Sequence, residues 1–142
     1  MARLSRAGVL TGSNRSVEYF SDFTRNFTKS PVGDQLSRVV NEKSINQSLV
    51  NLILTNLGER LFQPYIGSNI LSSFFENNYR ENLTDLEFFI ENTIKNNEKR
   101  VNLIELDISE TDSENEVAIT IVYNTINNPE PVTFEYILRR VR

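Results

Sequence analysis

Residues 84–108 read TDLEFFIENTIKNNEKRVNLIELDI, and within them the spacing of apolar residues changes from a helical to an extended period. Leu86, Phe89, Ile90 and Ile94 recur at intervals of three and four, which places them on one face of a helix. Ile104, Leu106 and Ile108 then alternate with Glu105 and Asp107, the pattern of a strand with one face inward. Thr84 and Glu87 have capping-box spacing, and Leu83 and Phe88 stand where a hydrophobic staple forms. A helix is therefore predicted from Asp85 to about Asn97, followed by a strand.

Downstream, the alternation continues twice. Val117, Ile119, Ile121 and Tyr123 form one inward set, and Val132, Phe134, Tyr136 and Leu138 form another. The Thr111–Asn115 link is short and polar and predicts a hairpin. Pro129 and Pro131 are expected in the second link, where a missing N–H costs no ladder bond. Glu105, Asp107, Glu110, Asp112, Glu114 and Glu116 crowd this region but lack the glycine and ligand order of an EF-hand, so a solvated hairpin is expected rather than a calcium loop.

Upstream, Ser44 and Gln47 have a second capping-box spacing, and Ile45, Leu49, Leu52 and Ile53 share one face. This predicts a largely buried helix from Ser44 to about Asn56, stopped by Gly58. Leu36–Val40 is a short strand candidate, residues 59–69 an irregular connection around Pro64 and Gly67, and Ile70–Asn77 a short helix. The fold class is α+β, with helices on one face of a C-terminal antiparallel sheet.

An extended N-terminal arm, residues 1–33, is expected to precede the domain, residues 34–142. Gly8, Gly12, Ser13, Pro31 and Gly33 punctuate the arm, and Tyr19, Phe20, Phe23 and Phe27 are its anchors. These aromatics weigh against an organelle leader, and the net acidity of the chain weighs against a nucleic-acid partner. Through residue 31 the arm has five bases and two acids, whereas residues 76–116 have twelve acids and four bases. The end is basic again, with Arg139, Arg140 and Arg142. Such asymmetry can steer an assembly.

The 142 residues carry no cysteine and no histidine, at a formal charge of −4. Thiolate chemistry, disulfides and the usual metal ligands are excluded, and no cofactor is expected. No apolar run reaches the ~18 residues of a membrane span, so no membrane partner is expected. A carboxylate hydrolase would draw on Glu59 and Glu98, but Arg60 and Arg100 beside them favour the ionised forms, which is wrong for a general acid.

The stretch Leu54-Thr55-Asn56-Leu57-Gly58-Glu59-Arg60-Leu61-Phe62-Gln63-Pro64-Tyr65-Ile66-Gly67-Ser68 resembles the signature of the phage baseplate-wedge family once labelled lysozyme-like, which includes a type VI secretion baseplate subunit. Its pieces are Leu54-Thr55, Gly58-Glu59-Arg60 and Gly67. Glu98-Lys99-Arg100-Val101 stands where the family shows Glu-Pro-Arg and an apolar residue, with Lys99 in place of proline. The resemblance covers about residues 34–141. It implies a non-enzymatic wedge subunit of a contractile tail, in the virion, assembled in the host cytoplasm. Its partners would be other wedge proteins, the sheath, and the tail tube or hub. It would template the first sheath ring by strand pairing. Partner contacts are expected at Glu59, Arg60, Glu98, Lys99 and Arg100, and, at the edge of the strand Val132–Val141, at Arg139, Arg140 and Arg142. The family's older label implies a peptidoglycan hydrolase as the alternative.

Overall fold

The computed structural model describes residues 17–31, 33–75, 83–111, 113 and 115–139. A small hairpin comes first: β1 (Ser21–Phe23) pairs antiparallel with β2 (Arg38–Val40). Among the described residues three helices follow, α1 (Glu42–Leu54), α2 (Ile70–Phe75) and α3 (Leu83–Asn97). Three long strands close the chain: β3 (Val101–Glu110), β4 (Glu116–Thr125) and β5 (Asn128–Arg139), in the order β3-β4-β5 and antiparallel throughout. The architecture is α+β, as the periodicity predicts.

One core joins these layers. Ile45, Leu49 and Ile53 of α1 and Leu86, Ile90 and Ile94 of α3 are buried against Val117, Ile119, Ile121 and Tyr123 of β4. Those residues are the ones that both apolar periods place inward. The Tyr123 hydroxyl donates to Asn46 Oδ1 at 2.6 Å, which satisfies a polar group at the sheet–helix junction.

Several local expectations are corrected. The Ser44–Gln47 capping box does not form, because α1 starts two residues earlier and Ser44 is buried in its first turn. Gln47 reaches outward instead: its Oε1 accepts from the Arg25 amide, and its Nε2 donates to the Phe23 carbonyl. α3 likewise takes Thr84 inside the helix, and Phe88 is exposed rather than stapled. α1 ends at Leu54, short of Asn56, with Thr55 extended.

The strands differ in two places. A bulge between Leu103 and Glu105 breaks the alternation of β3, so Leu103 and Leu106 face the core while Ile104 is 57 % exposed. Pro129 and Pro131 lie inside β5 rather than before it, because the β4–β5 loop is only Ile126-Asn127. They fall at a register irregularity of an edge strand, where proline is tolerated. The expected helix end at Asn77 and the hairpin residues Asp112 and Glu114 lie outside the described residues.

The β1–β2 hairpin straddles residues 33 and 34 and is tied to α1 by Asn41. Asn41 ends β2 with a positive φ of 51°. Its Oδ1 accepts from the Tyr19 amide at 2.9 Å, and its Nδ2 donates to the Val17 carbonyl at 3.0 Å. Of the four expected aromatic anchors, Phe20 packs on the core, while Tyr19, Phe23 and Phe27 are exposed.

Candidate docking site

Glu98 follows directly on α3. Its amide donates to the Ile94 carbonyl, and its carbonyl accepts from the Val101 amide, so the residue turns the chain from helix into β3. A carboxylate at a helix C-terminus meets the negative end of the dipole. Glu98 is also only 4 % exposed, so its charge requires partners.

Arg100 supplies them. Its Nε donates to Glu98 Oε1 at 2.7 Å, and a terminal nitrogen donates to Oε2 at 2.6 Å, a two-pronged grip across one residue. Ser48 of α1 adds a third bond to Oε2 at 2.7 Å. Burial alone would raise the Glu98 carboxyl, but the Arg100 bonds, the Ser48 hydroxyl and the Arg100 charge outweigh it and hold its pKa below the ordinary carboxylate value. The Arg100 pKa is raised, chiefly by its bonds to Glu98. The guanidinium also lies over the Phe20 ring, 5.4 Å from its centre. The first arm residue in the core thus braces the same cation.

These groups floor a polar cleft of about 430 Å³, lined by Asp22, Ser48, Asn51, Arg60, Ile66 and Arg100 among others. It brings Arg60 and Arg100 to one concavity from motifs forty residues apart in sequence. Arg100 is part-buried, Arg60 and Lys99 are exposed, and Glu98 lies beneath as the brace. Asp22 and Ser48 were not singled out from sequence. Ser48 stands four residues from both Ser44 and Leu52, on the polar flank of the apolar face, and nothing in that spacing marks it as a partner of Glu98.

Glu59 does not pair with Arg60. Its Oε2 accepts from the Asn56 amide at 3.0 Å and its Oε1 from Asn56 Nδ2 at 2.8 Å. The Asn56 side chain, then its amide, lower the Glu59 pKa. Gly58 sits at φ +87° in a turn closed by the Glu59 amide on the Asn56 carbonyl, which is the position a type II turn reserves for glycine. Its role is therefore in this turn and not at the helix cap.

At the far edge of the sheet, Arg139 Nε donates to Glu116 Oε1 at 3.0 Å, across directly paired residues of β5 and β4. Arg140 and Arg142 lie outside the described residues. The Glu98 carboxyl beneath the cleft and the Glu59 carboxyl in the neighbouring turn are both held toward the ionised form, so neither offers a ready proton to a leaving group.

Residues 39–130 match the family model described as "Baseplate wedge protein gp25". The protein of that name from Enterobacteria phage T4 is 27 % identical over 97 residues, covering 68 % of this chain and 74 % of its own. Two solved structures share the fold. A crystal structure from Geobacter sulfurreducens, proposed to be a tail lysozyme, aligns with a TM-score of 0.64 at 22 % identity, over 71 % of this chain and 92 % of the other. A chain of the anti-feeding prophage baseplate, solved by cryo-electron microscopy with six-fold symmetry, aligns with a TM-score of 0.58 at 21 % identity, over 83 % of both chains.

Proposed function

The chain belongs to the gp25 baseplate wedge family, and from that premise we propose that it is a structural subunit that docks a neighbouring wedge protein through the Arg60–Arg100 cleft. The observation that carries this is the buried Glu98 carboxylate. It fixes the Arg100 guanidinium at the cleft and leaves donors of the fork for a partner. Glu98 thus acts through Arg100, with Glu59 holding the turn from which Arg60 projects. Paired charge of this kind sets register and partner choice more than raw affinity.

By the same reading the subunit templates sheath. A free sheet edge presents unpaired backbone groups to an incoming strand, and β5 with its terminal arginines is the edge proposed to receive it. Sheath, wedge proteins and the tube or hub are its partners, and assembly takes place in the host cytoplasm. A non-enzymatic role agrees with the lowered pKa of the Glu98 carboxyl beneath the cleft. The likeness to the Geobacter structure is one of fold, at 22 % identity. Lysis of purified cell walls by this chain, lost in Glu98→Gln, would restore the hydrolase reading.

Arg100→Lys tests the docking role. Lysine keeps a charge for Glu98 but loses the planar fork. The variant is expected to fold and to enter wedges poorly in reconstitution. Wild-type incorporation by folded Arg100→Lys would overturn the assignment.

A further inference from the structure

The connection between α1 and α2 is built as a rigid support for side chains it does not bury. Leu61 is 90 % exposed, Phe62 95 % and Tyr65 87 %. Three successive turns carry them, closed by the Glu59 amide on Asn56, the Gln63 amide on Arg60 and the Ile66 amide on Gln63. Leu61 and Phe62 occupy the corners of the second turn, and Pro64 and Tyr65 those of the third. The ends of the loop are clamped together. Asn56 and Ser68 form a parallel bridge, the Ser68 amide donates to the Thr55 carbonyl at 2.8 Å, and its hydroxyl donates to the Ile53 carbonyl at 3.0 Å. The Gly58 amide donates to the Pro64 carbonyl across the middle, and the Glu59 carboxylate clips Asn56.

A loop with this many internal bonds loses little entropy when it is covered, and large side chains held ready in this way are what binding anchors require. Among the described residues the core is built without these three side chains. We propose that Leu61, Phe62 and Tyr65 form a preformed knob that seats in an apolar slot on another wedge subunit, with a carboxylate of that subunit at the rim facing Arg60. The partner's chemistry follows from charge. Arg60 stands at the base of the knob, and the only carboxylate in the turns, Glu59, is already held by Asn56. A membrane surface is a poorer fit, since a few side chains and one cation give weak insertion. A second copy of this chain does offer an acidic groove lined by Glu87, Glu91, Leu103 and Glu105. However, copies at a formal charge of −4 repel one another, and Lys95 already pairs with Glu91. The proposal rests on the wedge reading for its partner; Leu61, Phe62 and Tyr65 lie outside the lining of the Arg100 cleft, and Arg60 borders both contacts.

The test is made in assembled baseplates. A photo-crosslinking phenylalanine at position 62 should capture a peptide of another wedge subunit in which apolar residues are flanked by Asp or Glu. Capture of this chain's own residues 87–105, of lipid, or of nothing would overturn the proposal. In parallel, the triple variant Leu61→Ser, Phe62→Ser, Tyr65→Ser should melt as wild type and enter wedges about a hundredfold less well, as expected for lost anchors. Normal entry of the triple variant would also overturn it. If the triple variant fails while Arg100→Lys assembles normally, the knob stands and the cleft assignment falls. The reverse pattern separates them the other way.

Discussion

Ser48 on α1 and Glu98 at the end of α3 share a hydrogen bond of 2.7 Å, and it lands on the same carboxylate oxygen that Arg100 grips from the strand side. One buried charge thus joins a helix, a helix terminus and the start of the sheet. The arm reaches the same point, through Phe20 beneath Arg100.

Glu98→Gln should therefore destabilise the fold by about 3 kcal/mol, at the low end for a broken buried pair because Arg100 can still reach water. Chemical denaturation at neutral pH measures it. The pH dependence has a definite sign. The folded pKa of Glu98 lies below its ordinary value of 4.5, so its contribution is full above that value and is lost as pH falls through the lowered one. The gap between wild type and Glu98→Gln should accordingly narrow on acidification.

Tyr123→Phe removes the hydroxyl that meets Asn46 and should cost about 1 kcal/mol. Burial first, then Glu42 and Glu98, push the Tyr123 pKa up to about 12. Stability should fall as pH rises from 10 toward 12, because the unfolded phenol ionises first. The variant should lose that part of the alkaline slope, read from melts across this range.

The two loop glycines should respond differently to alanine. A Cβ at Gly67 would lie 2.6 Å from the Thr55 carbonyl oxygen, and φ there is +138°. Gly67→Ala should cost about 2–3 kcal/mol, through strain and loss of the Asn56–Ser68 bridge. Gly58 has open space around its Cβ position, so Gly58→Ala meets only the positive φ and should cost about 1 kcal/mol. Thermal melts of both variants decide the order.

Asn41→Ala should release the arm without unfolding the domain. It removes the side-chain bonds to Val17, Tyr19 and Phe20, while β1 still pairs with β2. Hydrogen exchange at Tyr19 should rise by an order of magnitude or more, with exchange at Ile119 and Ile121 unchanged. Slow exchange at Tyr19 in the variant would show that other contacts hold this segment.

Arg139→Glu would set two carboxylates opposite each other on β4 and β5, which like-charge pairing disfavours. The exchanged pair Glu116→Arg with Arg139→Glu should recover the loss, which stays below about 1 kcal/mol because Arg139 is largely exposed. The exchanged variant keeps the local pair while reversing the edge charge, so it suits a sheath-initiation assay at low salt.

The sequence by itself determined the layers. Apolar period is a local property, so α1, α3 and the inward faces of β4 and β5 could be read residue by residue, and the class followed from their order. The block Gly58-Glu59-Arg60 with Gly67 was equally legible as a motif. What it could not convey was where each polar side chain finds its partner. Capping-box spacing at Ser44–Gln47 matched a local rule, yet Gln47 bonds to a strand more than twenty residues away. A one-residue bulge turned Ile104 outward, because a change of register reverses the side-chain face and leaves no mark on the alternation itself. The cleft was out of reach for the same reason. Glu98, Ser48, Phe20 and Arg60 come from four separate segments, and only the closing of the core between α1, α3 and the sheet, which depends on all of them at once, brings Ser48 and Phe20 onto the Glu98–Arg100 pair and Arg60 to the same cleft.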